Sequence, residues 1–329
     1  MSAFNANTEE RNTEGHSASS NTPSSWFALL HCIQCQNSLF TEADFRKNDI
    51  TGSTVVCPHC QTTYPLAYNL EGRPQPDLRP QISANIKESE QSPVVSDDTA
   101  TWQHQIKEKL RQYPGFYRFL VQTIGVALLP EPSSQTFIEQ FSPEAHILSV
   151  GAGVLRRQHP GLIHLDYTPY SHLEIVGDAQ QLPFVDNSLD AIVCESMLEH
   201  VANPTQVIAE MQRVLKPGGK IYVLMPFMFQ FHAAPHDYTR FTHMGLLHQF
   251  KGFDTESLTV LAGPASALTA VLVEFLSIIC SLGSIALYRL FTMVWMVLLS
   301  PLKFLDYVLR HHPEACRSAC VFLYIGVKK

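Results

Sequence analysis

The chain has 329 residues, eight cysteines and a formal net charge of -7. This length is enough to bury one large domain with smaller attachments. The acidic balance argues against a broad nucleic-acid-binding surface, because such surfaces carry clustered basic residues. No apolar segment follows a basic start at the N-terminus, so we expect no secretory signal and a reducing, cytoplasmic location.

Two stretches in the first third of the chain are too polar to bury a core. Residues 1–27 are rich in Ser, Thr, Asn and Glu and predict a disordered tail. Residues 71–101 contain repeated prolines among polar residues and predict a linker. The segment between them, residues 28–70, is therefore expected to fold as a small separate unit.

This small unit carries two Cys-x-x-Cys pairs. They are Cys32 with Cys35 and Cys57 with Cys60. Such pairs supply four thiolates for a tetrahedral Zn²⁺, and a closed set of four leaves no open position for catalysis. Short strands are predicted at 39–40 and 55–56. Because the unit is too small to hold together by core burial, metal binding would supply its folding energy. The sequence thus predicts a structural zinc ribbon.

A short apolar run ending in Gly-x-Gly marks the main domain. Residues 147–153 read Ile-Leu-Ser-Val-Gly-Ala-Gly, which is typical of a buried parallel strand that turns toward a ligand. Gly151 and Gly153 permit backbone angles and close approaches that a Cβ would forbid. A second apolar stretch ends in Asp166, where a carboxylate can accept hydrogen bonds from ribose hydroxyls. Arg156 stands where a dinucleotide site would need a third glycine, which favours a nucleoside cofactor without phosphates.

Predicted strands alternate with helical segments across residues 102–262. The strands lie near 146–150, 162–166, 173–177, 189–193 and 219–225. This alternation predicts an α/β domain with a Rossmann-like, doubly wound, mostly parallel sheet. Helices predicted before the first strand, from about residue 102, would cover its edge. A ligand is expected at the carboxyl ends of the strands.

Three further stretches follow the glycine turn at regular intervals. They read Gly177-Asp-Ala-Gln-Gln-Leu-Pro-Phe184, Glu195-Ser-Met-Leu-Glu-His-Val201 and Leu215-Lys-Pro-Gly-Gly-Lys-Ile-Tyr-Val223. The whole series closely resembles class I S-adenosylmethionine-dependent methyltransferases of the methyltransferase type 11 kind. The resemblance covers residues 137–227 and implies S-adenosylmethionine as the cofactor.

The resemblance also implies roles for residues around the glycine turn. Gly151 and Gly153 would line the methionine part of the cofactor, and Asp166 would hold its ribose. The family often has an acidic residue just before the glycines, whereas this chain has Ser149. That departure weakens Ser149 as a cofactor contact.

The later motifs supply the rest of the implied cofactor site. Asp178 with Ala179 would meet the edge of the adenine. Glu195 follows the fourth strand and would face the cofactor near its methyl group. These residues complete the cofactor-binding set that the resemblance implies.

The cysteine-rich unit has a resemblance of its own. Continuing through Thr63-Tyr-Pro-Leu66, it resembles the small zinc-ribbon activator module that lies beside methyltransferases or is fused to them. In that family the module stabilises its catalytic partner and can help to position substrate. Here it would act as an intramolecular partner.

The loop after the fifth strand, residues 226–242, is dense in aromatic and ionisable side chains. We expect it at the strand edge that faces the cofactor. Methyl transfer is an in-line displacement, in which the enzyme positions the acceptor and removes a proton where needed. His236 and Asp237 are the first candidates for the base, and His200 and His232 are the second.

The same loop contains groups that could orient an acceptor. Tyr238 and Arg240 are the candidates, and the arginine fork suits a carboxylate or phosphate. A similar His-Asp-Tyr-x-Arg-Phe-Thr segment recurs near the active site of a methyltransferase subgroup that this chain resembles. The alternative is a hydrogen-bonded turn that starts the next helix. The pair Glu199-His200 fits packing and capping as well as it fits chemistry.

The C-terminal part departs from an ordinary class I domain. Residues 263–317 form an insert before the predicted last strand, 318–329, and include two nearly apolar helices predicted at 265–282 and 284–299. Helices with so few polar positions favour membrane contact through 265–310, at peripheral or monotopic depth on the cytoplasmic face. The alternative is a buried lid or a homodimer interface.

The sequence therefore predicts a methyltransferase that acts on a small-molecule, lipid-linked or glycan-linked acceptor by direct displacement. An oxygen on a glycan or lipid head group is the first expectation, and a quinone-type ring is the second. One alternative is a non-catalytic scaffold that recruits a partner through its zinc ribbon. Another is a tRNA or protein methyltransferase, against which the acidic balance and the lack of an Asn-Pro-Pro-Tyr-like motif argue.

Overall fold

A computed structural model describes residues 25–40, 54–68, 74–79, 123–128, 133–153, 157–232 and 236–329. Several expectations fall outside these residues. They are nearly all of the predicted tail, most of the predicted linker, the helices expected from about 102 to 122, and residues 154–156 after the glycine turn.

A three-stranded antiparallel sheet lies at the N-terminal end. Its strands are β1 (Thr54–Val56), β2 (Thr63–Tyr68) and β3 (Pro74–Pro76), paired in that order. Together with residues 25–40 and 77–79 it forms the N-terminal module. This module is wider than the predicted ribbon, residues 28–70. Trp26 and Leu78 are buried in the core that the module shares with the main domain, which extends the module at both ends.

Residues 39–40 form a bend instead of the predicted strand. Leu39 and Phe40 are both buried, whereas successive side chains of a strand point to opposite faces. A bend therefore allows both of these apolar side chains to be buried.

A seven-stranded sheet forms the centre of the main domain. Its strands are β4 (Ile147–Val150), β5 (Leu162–Asp166), β6 (Ile175–Val176), β7 (Leu189–Glu195), β8 (Leu215–Pro226), β9 (Phe253–Ala262) and β10 (Val321–Lys328). Their spatial order is β6-β5-β4-β7-β8-β10-β9. The strands from β6 to β8 are parallel, whereas β10 is antiparallel to both β8 and β9. This order confirms the predicted Rossmann-like sheet.

Within the described residues, three short helices pack around this sheet. They are α1 (Ser134–Ile138), α2 (Pro204–Val214) and α3 (His243–Gln249). Each begins at a side-chain cap, which satisfies a backbone N–H of the first turn. Asn203 caps α2 and Thr242 caps α3. All four residues of β4 are buried, as expected for a strand covered on both faces.

The N-terminal module docks on the β6 edge of the sheet. Leu78 N–H donates to the Val176 carbonyl at 2.8 Å, and His31 N–H donates to the Pro183 carbonyl at 3.1 Å. The bond to Val176 satisfies a backbone carbonyl that a bare edge strand would expose. The module and the methyltransferase-like sheet therefore share one continuous hydrophobic core.

A helical hairpin replaces the short connection between β9 and β10. It consists of α4 (Pro264–Ser281) and α5 (Ile285–Leu299), followed by a 3₁₀ helix and by α6 (Asp306–Leu309). The buried carboxylate of Asp306 accepts hydrogen bonds from the Gly263, Ala265 and Ser266 N–H groups at 2.8–2.9 Å. These are the donors that an α-helix leaves unpaired at its start. Asp306 thus fixes the root of α4 on the domain.

Candidate functional site

The carboxyl end of β4 turns through two glycines in the left-handed region. Gly151 has a φ of 65° and Gly153 a φ of 56°, angles that L side chains rarely adopt. A Cβ at Gly151 would lie 2.3 Å from Cγ of Met197, whereas a Cβ at Gly153 would meet no described atom within 4 Å. Gly153 therefore borders open space in which a ligand can approach the backbone.

Asp166 ends β5 beside this turn. Its Oδ2 accepts a hydrogen bond from the Gly153 N–H and its Oδ1 accepts one from the Thr168 N–H, each at 2.8 Å. Burial raises the pKa of Asp166, and the backbone amides oppose that rise. Because a carboxylate has about four acceptor sites, capacity remains for two further donors. The residue is held next to the glycine turn without being saturated.

Asp178 and Ala179 follow the next strand, β6. Asp178 Oδ1 accepts a hydrogen bond from the Gln180 N–H at 2.8 Å, and Ala179 is buried. Since β4, β5 and β6 are parallel neighbours, their carboxyl ends lie at one edge of the sheet. The glycine turn, Asp166 and Asp178 all stand at this edge.

Glu195 ends β7, next to β4, and forms an ion pair with Arg157. The Arg157 Nε also donates to the Ser134 hydroxyl at 2.6 Å, and its Nη1 lies 3.5 Å from Ser149 Oγ. Burial lowers the pKa of Arg157 to about 10. Sequence reasoning missed this arginine, since its one signal was its position shortly after the glycine turn. The residue expected near the cofactor methyl group is thus held by a buried cation.

Asp237 holds the loop after β8 together. Its carboxylate pairs with both terminal nitrogens of Arg240, with Nη2 2.7 Å from Oδ2, and it accepts a hydrogen bond from the His232 N–H at 2.8 Å. Burial would raise the pKa of Asp237, but Arg240 and the His232 N–H hold it below its usual value. A carboxylate with both oxygens engaged is a weak proton acceptor. This geometry favours the hydrogen-bonded turn over the role of a base.

The other candidate catalytic residues lie beside that turn. His200 Nδ1 donates to the His236 carbonyl at 2.6 Å, and the rings of His236 and Tyr238 lie 5.4 Å apart. Tyr238 is 47% exposed. It lines a cavity of about 270 Å³ together with Phe229, Phe231, Asp237, Thr239 and Arg240. His200, His236 and Tyr238 are thus brought together after β7 and β8.

The four predicted metal-binding cysteines form one cluster in the N-terminal module. All four sulfurs lie within 4.8 Å of one another, and Cys32 Sγ is 3.5 Å from Cys60 Sγ. Tetrahedral zinc with Zn–S bonds of about 2.3 Å would place its sulfurs about 3.8 Å apart. The observed spacing fits that geometry.

The two Cys-x-x-Cys segments share the same backbone conformation. The residue after each pair, Gln36 or Gln61, adopts a φ of 61° or 62°. Its N–H donates to the carbonyl of the first cysteine of that pair, at 2.8 or 3.0 Å. Bonds from Thr62 lower the pKa of Cys60 to about 6, whereas burial raises that of Cys57 to about 12. This repeated turn points both sulfurs of each segment at one centre.

Comparisons with known proteins agree with this description. Residues 156–223 match the family model described as a methyltransferase domain. The demethylmenaquinone methyltransferase of Renibacterium salmoninarum is 31% identical over 125 residues, which are 38% of this chain and 47% of the relative. The ubiquinone/menaquinone biosynthesis C-methyltransferase UbiE of Hahella chejuensis is 43% identical over 61 residues, 18% of this chain and 24% of the relative. The chain thus spans less than half the length of each relative.

Among solved structures, the complex between the Haloferax volcanii Trm112 methyltransferase activator and a methyltransferase is similar, with a TM-score of 0.36. It is 17% identical and covers 71% of this chain and 99% of that chain. The family match and the order of the strands together define the main domain. Residues 156–223 are part of a methyltransferase domain, and the sheet that contains them has a Rossmann-like strand order.

Proposed function

We propose that this chain transfers a methyl group from S-adenosylmethionine to an apolar, membrane-borne acceptor. The observation that carries the proposal is the convergence of three features at one sheet edge. They are the open turn at Gly153, the unsaturated carboxylates of Asp166 and Asp178, and the aromatic loop after β8. When bound, the cofactor would supply an electrophilic methyl group for direct displacement.

The residues of this edge fit the cofactor. Gly153 leaves room for the methionine part, and Asp166 would accept hydrogen bonds from the ribose hydroxyls. Asp178 with Ala179 would contact the adenine edge. Glu195 would lie near the methyl group, with Arg157 fixing its carboxylate. Each assignment uses a group whose hydrogen-bonding capacity remains free or whose position borders open space.

On the acceptor side, His236 is the proposed proton acceptor. The Asp237 oxygens are occupied by Arg240, and His200 Nε2 faces the buried Glu199 carboxylate at 3.8 Å. Tyr238 lies beside His236, lines the cavity and would orient the acceptor. This division leaves Asp237 and Arg240 to shape the loop.

Both curated relatives described above are named for quinone methylation. Together with the aromatic lining of the cavity, these names favour a quinone-type ring over an oxygen on a glycan or lipid head group. The ring would stack on the exposed aromatic side chains Phe231 and Tyr238.

We also propose that the helical hairpin contacts a membrane. Two helical segments, Pro264–Ser281 and Ile285–Leu309, are long and apolar enough to cross one by length and composition. At their junction Leu282 is 87% exposed. Other large apolar side chains of the two helices are also exposed, to between 47% and 60%: Leu268, Val271, Phe275, Ile278, Ile279, Ile285, Leu290, Met293, Val297 and Leu298. An exposed apolar surface of this kind marks a binding face for lipid or protein.

Several polar side chains of the hairpin find hydrogen-bond partners within it, which lowers the cost of a lipid environment. Thr269, Ser277 and Thr292 each donate to a carbonyl four residues earlier in the same helix, at 2.6–2.8 Å. The carboxylate of Glu274 accepts the Tyr288 hydroxyl at 2.8 Å across the two helices. These contacts turn polar atoms away from the exposed apolar side.

Co-sedimentation with vesicles of phosphatidylethanolamine and phosphatidylglycerol tests the membrane contact. We expect the wild-type chain to sediment with vesicles, and a double variant, Leu282→Glu with Ile285→Glu, to stay in the supernatant. Thr259→Glu, at an exposed position of β9, is the matched charge control and should sediment. If the wild-type protein stays in solution and elutes as a dimer, the membrane contact is refuted and the hairpin is a subunit interface instead.

Transfer of labelled methyl groups tests the activity. The full-length chain is incubated with methyl-labelled S-adenosylmethionine and with either a membrane lipid extract or the matching aqueous extract. We expect the label in the quinone-containing lipid fraction. Label in the aqueous fraction alone would refute a membrane-borne acceptor. Cofactor binding without transfer to any fraction, including added tRNA and protein, would support the non-catalytic scaffold.

Finally, we propose that the cysteine cluster holds a structural Zn²⁺. The four sulfurs would fill its coordination sphere, so the ion would have no open position and would serve the fold. Because the module shares its core with the main domain, the ion would also stabilise the methyltransferase domain.

A further inference from the structure

We propose that Glu199, His200 and His232 bind a divalent transition-metal ion, separate from the cysteine cluster, beside the acceptor cavity. The three residues come from the carboxyl ends of the neighbouring strands β7 and β8. One ligand atom from each lies within 4.8 Å of the other two. The inference goes beyond methyl transfer as such, and its test does not depend on turnover.

The central observation is the carboxylate of Glu199. The residue is fully buried, and neither of its side-chain oxygens has a hydrogen-bond partner among the residues that the structure describes. Burying an ionised carboxylate without a partner costs several kcal/mol, on the order of the whole stability of a domain. Native proteins rarely leave such a group unpaired. A cation at this point would remove the cost.

The two imidazoles face Glu199 through their Nε2 atoms. Glu199 Oε1 lies 3.8 Å from His200 Nε2 and 3.7 Å from His232 Nε2. Both distances exceed the usual N–H···O range, which ends at about 3.2 Å. They lie close to the spacing of about 3.4 Å between two ligands of a tetrahedral ion bound at about 2.1 Å. The gap fits an ion better than a hydrogen bond.

The hydrogen bond on the far side of the His200 ring leaves its Nε2 free to bind, and His232 is held on its far side as well. His200 Nδ1 lies 2.6 Å from the His236 carbonyl oxygen, and His232 Nδ1 lies 3.2 Å from the Gln230 carbonyl oxygen. A carbonyl can only accept, so Nδ1 of His200 carries the proton in the neutral ring and its Nε2 presents a lone pair. Metal-binding histidines are commonly oriented in this way by a backbone carbonyl.

The donor set defines the kind of ion. Two imidazole nitrogens and one carboxylate suit first-row divalent metals such as Mn²⁺, Fe²⁺ and Zn²⁺, and they leave coordination positions open. The side chains of His200 and His232 are 16% and 30% exposed, so the site can be reached from solvent. An open position next to the cavity could bind an oxygen of the acceptor and lower the pKa of a hydroxyl there.

Mn²⁺ titration of the full-length protein, followed by electron paramagnetic resonance, tests the proposal. Mn²⁺ is the probe because it prefers nitrogen and oxygen ligands and discriminates against the four thiolates. We expect one ion per chain, with affinity reduced at least about 10-fold in Glu199→Gln and in His232→Gln. His248→Gln, the same change at an exposed position of α3, should bind as the wild type does.

Thermal unfolding distinguishes a metal-binding site at Glu199 from a buried carboxylate that binds no ion. We expect Mn²⁺ to raise the wild-type midpoint and to leave that of Glu199→Gln unchanged. Absence of wild-type binding at millimolar Mn²⁺, together with a higher midpoint for Glu199→Gln, would overturn the proposal. Calorimetry with S-adenosylmethionine on the same samples reports cofactor binding independently, so failure of the metal site is distinguishable from failure of the proposed function.

Discussion

Arg157 forms an ion pair with Glu195 across the carboxyl ends of β4 and β7, with 10% and 18% of the two side chains exposed. Removing one partner of a buried pair leaves the other charge without compensation, which costs about 3–5 kcal/mol. We expect Arg157→Met to lower the free energy of unfolding by roughly this amount, and Glu195→Gln to restore much of it in the double variant. Denaturant unfolding of the four proteins measures the coupling. Additive effects of the two changes would show that the pair does not hold this edge.

The two glycines of the turn should respond differently to the same change. An alanine at either position incurs the cost of a positive φ, about 1–2 kcal/mol. Gly151→Ala also introduces a clash with Met197, whereas Gly153→Ala introduces no clash. We therefore expect Gly151→Ala to unfold at the lower temperature, and Gly153→Ala to fold but to lose cofactor affinity. Thermal melts with and without S-adenosylmethionine measure both effects. Equal melting temperatures would contradict the packing role of Met197.

We expect Asp237 to make the free energy of unfolding depend on pH in the acidic range. Its pKa is lower in the folded chain than the unfolded value of about 3.9, because of Arg240 and the His232 N–H. Its stabilising contribution is therefore complete above that unfolded pKa and is lost as the pH falls toward the folded pKa. The unfolding free energies of wild type and Asp237→Asn should differ above pH ~5 and converge in acid. A constant difference down to the folded pKa would contradict the assigned contacts.

We expect zinc binding to stabilise the main domain as well as the N-terminal module. Cys57 and Cys32 belong to the same buried cluster as the sheet of the main domain, so loss of the ion should weaken both parts. We expect Cys57→Ser to lose most of the bound zinc, measured by elemental analysis, and to unfold at a lower temperature than the wild type. Cys280→Ser, at a partly buried position of α4 outside the cluster, is the control. Retention of a full equivalent of zinc by Cys57→Ser would refute the assignment.

Much of the fold could be predicted because its signals are local. The alternation of apolar runs and helical segments predicted the parallel sheet, and the Gly-x-Gly run predicted the turn at the end of β4. The two helices of the hairpin were bounded correctly, because Gly283 and Pro301 interrupt an apolar stretch. These features depend on residues close together in sequence.

What the sequence did not predict depends on contacts between distant segments. Arg157 pairs with Glu195 through the geometry of the sheet, and no spacing rule connects the two. The module boundaries at Trp26 and Leu78 depend on packing against the main domain. The ion pair between Asp237 and Arg240 depends on the folded conformation of the loop. The choice between Asp237 and His236 as the base therefore depends on contacts that residue type alone does not predict.

Calorimetric titration with S-adenosylmethionine tests the central claim most directly. Wild-type protein should bind one cofactor, and Asp166→Ala should bind it about 10- to 100-fold more weakly, because hydrogen bonds to a charged group contribute about 1.5–3 kcal/mol. Asp254→Ala, which removes a carboxylate at an exposed position of β9, should bind as the wild type does. Absence of wild-type binding, or equal affinity in Asp166→Ala, would contradict the proposed cofactor site.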